Sequence, residues 1–80
     1  MPKLTIQYFA ILREQRGLTR EQLDTSATTP AALYDELRAR HGFTLPPDRI
    51  RAAINGDFAP PGSPLRDNDE VTFIPPVAGG

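Results

Sequence analysis

Hydrophobic and polar positions alternate at both ends of the chain and follow a helical spacing in the middle. In Lys3-Leu-Thr-Ile-Gln-Tyr-Phe9, Leu4, Ile6 and Tyr8 share one face while Thr5 and Gln7 share the other, which predicts a strand. Phe9 breaks the alternation by putting an aromatic ring on the polar side. Residues 10–16 are helix formers halted by Gly17, so a short helix or turn is expected there. Residues 18–25 carry Leu18 and Leu23 among polar neighbours and predict a weaker strand that returns along the first.

The clearest element is a helix over residues 30–41. Thr28 and Thr29 offer capping hydroxyls, Pro30 suits the first helical position, and Leu33 and Leu37 share a face flanked by Tyr34. Arg38 and Arg40 favour its C-terminal end electrostatically, and Gly42 stops it. Residues 43–50 read as a loop containing Pro46-Pro47. Arg51–Ile54 and Asp57–Ala59 read as short strands around Asn55-Gly56, a pair suited to a type I′ hairpin turn because both residues tolerate positive φ. After a rigid Pro60–Pro64 loop Leu65 packs down, and Asp67-Asn68-Asp69 makes a turn. Glu70–Ile74 alternates again, with Val71 and Phe73 on one face, and Pro75-Pro76 ends it because proline cannot donate to a ladder.

This order predicts a two-layer α+β domain over residues 1–74, with one main helix packed across a mixed sheet, followed by a tail over 75–80. It is compatible with a β-grasp, ubiquitin-like fold in which the first and last strands pair at the centre. Periodicity alone does not determine that pairing.

At 80 residues the chain holds one small domain. No stretch approaches the roughly 18 to 20 apolar residues of a membrane span, and the N-terminus lacks a signal-peptide layout, which favours the cytoplasm. The net charge of -1 and the scattered basic residues argue against nucleic acid as a partner. With no cysteine there is no disulfide, thiolate metal site or thiol nucleophile. No nucleophile triad, phosphate loop or set of liganding carboxylates is present, so the side chains are not expected to be the reacting groups of an enzyme. His41, near a helix end, reads as a dipole contact; Asp67, Asp69 and Glu70 read as turn formers; Arg13-Glu14 reads as a solvated pair.

The remaining candidate chemistry lies in Pro75-Pro76-Val77-Ala78-Gly79-Gly80. Two prolines favour an extended path, six residues reach roughly 20 Å, and glycine leaves the terminal carboxylate unobstructed. That carboxylate, ionised above about pH 3.5, can attack the α-phosphate of ATP to give an acyl-adenylate. A persulfide can then displace AMP and leave a thiocarboxylate, which carries sulfur without any cysteine. A glycine-rich end is also an ordinary frayed stub, and the glycines alone leave both readings open.

Tyr8-Phe9-Ala10-Ile11-Leu12-Arg13-Glu14 with Gly17, Ala53-Ile54-Asn55-Gly56, Pro64-Leu65 with Asp67–Val71, and the ending Phe73–Gly80 together resemble the small subunit of molybdopterin synthase, in the ubiquitin-like ThiS/MoaD family. The resemblance spans nearly the whole chain. It departs at Asn68, where that family has glycine; Asn is the next-best residue for a left-handed turn.

The resemblance implies a β-grasp fold, adenylation of Gly80 by an E1-like adenylyltransferase that uses ATP, and sulfur from a donor protein. It also implies insertion of the tail into the large synthase subunit, within a heterotetramer, to build the dithiolene from cyclic pyranopterin monophosphate. No cofactor or metal would be bound by this chain, and the catalytic side chains would belong to the large subunit. Gly79 and Gly80 would form the reacting end, with Pro75, Pro76, Val77 and Ala78 as the inserted segment. Phe9, Phe58 and Ile74, each expected on the face away from the core, would form a docking patch; scattered surface hydrophobics are the ordinary alternative. A carrier for thiamine or tRNA thiolation, a protein modifier, and a β-grasp interaction module with an inert terminus are the competing readings.

Overall fold

The computed structural model describes residues 2–76. Its elements are β1 (Lys3–Tyr8), α1 (Ala10–Arg16), β2 (Arg20–Asp24), α2 (Pro30–His41), β3 (Arg51–Ile54), β4 (Asp57–Ala59) and β5 (Glu70–Ile74). The strands form one sheet in the order β2-β1-β5-β3-β4. β1 and β5 run parallel, with Tyr8 opposite Phe73, and the other pairings are antiparallel. The first and last strands therefore do meet near the middle, in the β-grasp arrangement.

One face of the sheet carries Leu4, Ile6, Tyr8, Ala52, Val71 and Phe73, all buried, and α2 covers it with Leu33, Tyr34 and Leu37. Burying a large side chain of this kind contributes about 1.5–3 kcal/mol. The cap of α2 is Thr29, whose hydroxyl accepts from the Ala32 N–H at 3.2 Å. Thr28 is not the cap; its carbonyl instead accepts from the Leu65 N–H, which ties the loop before β5 to the helix entry. Gly42 ends α2 in the left-handed region, as its position predicts.

Five details differ from the sequence expectation. β1 ends at Tyr8, so Phe9 is not a strand residue but the cap of α1. β2 begins at Arg20, and Leu18 is exposed rather than paired. Pro47–Arg49 forms a 3-10 turn within the expected loop. Phe43, in that same stretch, is buried: its ring stacks on Tyr34 at 5.9 Å and meets Tyr8 edge-on at 5.9 Å. Tyr34 is central rather than flanking, lying 5.4 Å from Phe73 and donating its hydroxyl to the Leu45 carbonyl at 2.8 Å. These aromatic contacts join α2, the loop after it and β5 into one cluster, each pair adding about 0.5–1.5 kcal/mol beyond area burial.

The turn residues behave as their chemistry requires. Asn55 and Gly56 both take positive φ, 53 and 91°, and Asn68 sits at 69°. Ala10, which opens α1, is also left-handed at φ 52°, a conformation its Cβ disfavours.

Candidate functional site

Because β5 lies between β1 and β3, the chain leaves the body from an interior strand of the sheet. Ile74 stands opposite Arg51 in the ladder, and the proline pair follows directly. Ile74 and Pro75 are half-buried and Pro76 is exposed. Val77, Ala78, Gly79 and Gly80, expected to form the rest of the tail and the reacting end, lie outside the described residues.

The face of the sheet away from α2 is not uniformly polar. Ladder parity places Phe58, Ala53, Thr72 and Gln7 in one row across β4, β3, β5 and β1, and puts Arg51 and Ile74 in the row beside it. Phe58 is 69% exposed, although it is a large aromatic. Ala53 and Thr72 are buried on this outer face, and Ala53 is no member of the core cluster. Small side chains between larger neighbours make a shallow floor. Phe9, 40% exposed, follows Tyr8, and Tyr8 aligns with Phe73; Phe9 therefore lies at the end of the sheet from which the tail departs. The fold thus brings Phe58 and Ile74 onto one face and leaves Phe9 at its border. Ala53 and Thr72 carried no signal in the sequence, since neither is large enough to be noticed as an anchor.

Elsewhere on the same face the surface turns polar, and Arg20 pairs with Glu70 there. Around the edge of the sheet, next to Phe58, an apolar groove of about 510 Å³ opens between the start of α2 and β3–β4, lined by Pro30, Tyr34, Ile50, Ala52 and Ala59.

The strongest electrostatic feature lies elsewhere. Glu21 is opposite Ile6 and so points to the core side of an edge strand. It accepts from the Tyr8 hydroxyl at 2.6 Å and from the Arg16 guanidinium at 2.8 Å to each oxygen. The Arg16 hydrogen bond is the main reason the Glu21 carboxyl falls to about 2, with partial burial opposing it. Burial and the Glu21 acceptor push the Tyr8 hydroxyl far above its ordinary value. His41, in the last turn of α2, is pushed below its usual value by burial and by Arg16, which favours the neutral ring and reduces its contact with the helix dipole. Tyr8, Glu21 and Arg16 satisfy one another's hydrogen bonds, and of these Tyr8 stands in the ladder beside Phe73, one residue before Ile74. Among the described residues no group of three or more His, Asp or Glu side chains could hold a metal ion, and no helix is long and apolar enough to cross a membrane.

The sheet order, the helix across it and the strand leading to the tail define a ubiquitin-like β-grasp protein. Solved relatives agree: small archaeal modifier protein 1 from Haloferax volcanii superposes with a TM-score of 0.77 at 25% identity, over 96% of this chain and 100% of the other. A ubiquitin from Caldiarchaeum subterraneum superposes at 0.63 and 21% identity, over 99% and 98%, which supports the fold. Residues 6–80 match the ThiS family model, and the chain belongs to the ThiS family. It is 36% identical to the molybdopterin synthase sulfur carrier subunit of Mycobacterium tuberculosis, with both chains covered in full. It is 32% identical to the Escherichia coli protein of the same description, over 96% of this chain and 99% of the other.

Proposed function

We propose that this chain is a sulfur carrier for molybdopterin synthesis, with the Gly80 carboxylate as the group that is adenylated and converted to a thiocarboxylate. The observation that carries this reading is the end-to-end kinship with sulfur carrier subunits, at 36% identity across both full lengths. The position of β5 inside the sheet supports it: the outer face near its end carries exposed Phe58, with Phe9 at the border, as apolar anchors suited to a partner.

In this reading the carboxylate oxygen attacks the α-phosphate of ATP, held by an E1-like adenylyltransferase, and pyrophosphate leaves. A persulfide on a donor protein then attacks the acyl carbon, and AMP leaves. A partner thiolate then attacks the donor sulfur of the resulting acyl disulfide, forming a disulfide with it and releasing the thiocarboxylate. The tail enters the large synthase subunit, whose side chains handle cyclic pyranopterin monophosphate. This chain contributes the carrier end, the reach and the docking face, and is not catalytic alone.

The test is an intact-mass measurement. Incubated with an E1-like enzyme, ATP and a sulfur donor, the chain gains the mass difference between sulfur and oxygen, and deleting Gly80 abolishes the gain. No gain with an enzyme that thiolates a known carrier would overturn the proposal. A second reading, protein modification, is favoured by the likeness to small archaeal modifier protein 1. It predicts lysine-linked adducts of this chain in place of transfer to the pterin.

A further inference from the structure

The outer face of the sheet carries two arginines in different surroundings. Register places Arg20 of β2 and Arg51 of β3 on the side away from α2, because their ladder partners Gln7 and Ile74 alternate with buried Tyr8 and Phe73. Arg20 is neutralised by Glu70, across the intervening β1. Arg51 is exposed and makes no ion pair among the described residues. Asp48, which borders the same apolar groove, does not pair with it.

The neighbours of Arg51 on this face are apolar or small. Ile74 stands directly opposite, and Ala53, two residues along β3, faces Thr72 on one side and Phe58 on the other. At about 3.4 Å per residue and about 4.8 Å between strands, the Cα atoms of Arg51 and Phe58 lie about 8 Å apart. A partner that covers both Phe58 and Ile74 therefore covers Arg51 as well. Stripping water from a lone guanidinium is strongly unfavourable unless an anion meets it. A carboxylate suits it best, because two parallel N–H groups of the planar fork can donate to its two oxygens.

We propose that Arg51 is a specificity-determining residue of this face: the partner seated on Phe58 and Ile74 is a folded protein whose apolar patch carries a carboxylate that receives the guanidinium. The inference deepens the carrier reading and rests on it, since that reading supplies the large synthase subunit as the partner. Phe58 and Ile74 alone discriminate poorly between one apolar surface and another. Arg51 rejects a surface without an acid, which would bury an unpaired cation, and a surface with a cation at that point, which would oppose like charges.

The test measures binding of the full chain to a purified large subunit by calorimetry, at low and high salt, for wild type, Arg51→Lys, Arg51→Leu, Arg51→Glu and Arg66→Glu. Arg66 is exposed in the loop before β5, at the end of that strand away from Ile74, so Arg66→Glu makes the same change in net charge at a distance. Arg51→Leu is expected to lose at least about tenfold in affinity and Arg51→Glu at least about a hundredfold, with both losses kept at high salt. Arg51→Lys, which keeps the charge without the fork, falls between wild type and Arg51→Leu. Arg66→Glu stays within about threefold of wild type. Among single Asp or Glu→Arg reversals on the large subunit, one is expected to weaken wild type and restore Arg51→Glu. Circular dichroism checks folding, and Arg51→Leu carries the test should Arg51→Glu fail to fold. The proposal is overturned if Arg51→Leu binds as tightly as wild type, if Arg66→Glu matches the loss of Arg51→Glu, or if no reversal restores binding. A wild type that does not bind the large subunit overturns the partner in the carrier reading and this inference together, whereas binding indifferent to position 51 overturns this inference alone.

Discussion

Asn55 and Glu70 hold one another by a reciprocal pair of hydrogen bonds. The Asn55 N–H donates to the Glu70 carbonyl at 2.8 Å, and the Glu70 N–H donates to the Asn55 side-chain oxygen at 2.9 Å. The Asn55 side-chain amide also donates to Asp69 at 2.9 Å. The residue that makes the β3–β4 turn therefore also fastens the start of the strand that leads to the tail. Two functions of Asn55 can be separated by substitution. Asn55→Gly keeps the left-handed backbone and loses the side-chain bonds, with an expected cost of about 1–2 kcal/mol. Asn55→Ala loses the bonds and adds left-handed strain, for a total cost of about 2–3 kcal/mol. Urea midpoints at unchanged slope measure both, and equal losses would show that the backbone conformation contributes nothing.

The Tyr8–Glu21–Arg16 network predicts an acid transition. The Glu21 carboxyl is lowered from 4.5 to about 2, so the folded state binds its proton less readily than the unfolded chain does. Its contribution is fully present above about pH 4.5 and is lost as the pH falls toward 2. Glu21→Gln is expected to flatten the stability profile in that window. At neutral pH it costs about 1–2 kcal/mol, because the Arg16 partner is partly exposed and screened. Denaturant titrations at stepped pH values would check both. A profile of unchanged slope between pH 4.5 and 2 would show that the ion pair does not carry the linkage.

Much of this fold was legible because its signals are local. Thr29, Pro30 and Gly42 bound α2 through caps acting over a few residues, and Asn55-Gly56 marks its hairpin by its own φ preferences. The parallel pairing of β1 with β5 was not legible from periodicity, since alternation says which side chains share a face but not which strand lies alongside. Phe43 escaped notice because one aromatic in a loop has no period to betray its burial. At the candidate site, Phe58 and Ile74 followed from strand parity, whereas Ala53 and Thr72 are buried on the outer face only because of what surrounds them. Phe9 was assigned to a strand that ends one residue earlier, where the chain turns into α1 through left-handed Ala10.

That junction gives a third prediction. Ala10 stands at φ 52°, where an L side chain is strained by about 1–2 kcal/mol and glycine is not. Glycine also has more unfolded-state freedom to lose, which offsets part of the relief. Ala10→Gly should therefore raise stability by about 0.5–1 kcal/mol, in contrast to the loss expected where glycine enters a normal helical position. Thermal and urea unfolding of the single variant would measure this, and a destabilisation would mean that the left-handed turn is not kept in solution.

Phe58 offers the sharpest separation between binding and folding. It is 69% exposed on edge strand β4, opposite Ala53, so little of its ring contributes to the core. An exposed aromatic beside a shallow floor of Ala53 and Thr72 fits a partner that covers it, since interface energy concentrates in a few such anchors. Phe58→Asp should leave the unfolding midpoint within about 0.5 kcal/mol of wild type, as for surface changes away from packed features. The same change should weaken binding to a large synthase subunit by about 2 kcal/mol or more, because it removes the anchor and buries a charge without a partner. Titration calorimetry with the purified large subunit, run beside denaturant unfolding, distinguishes the cases. Unchanged affinity would remove Phe58 from the docking face and leave that role to Ile74 and the tail, whereas a large loss of stability would mean that the ring packs more tightly than its exposure indicates.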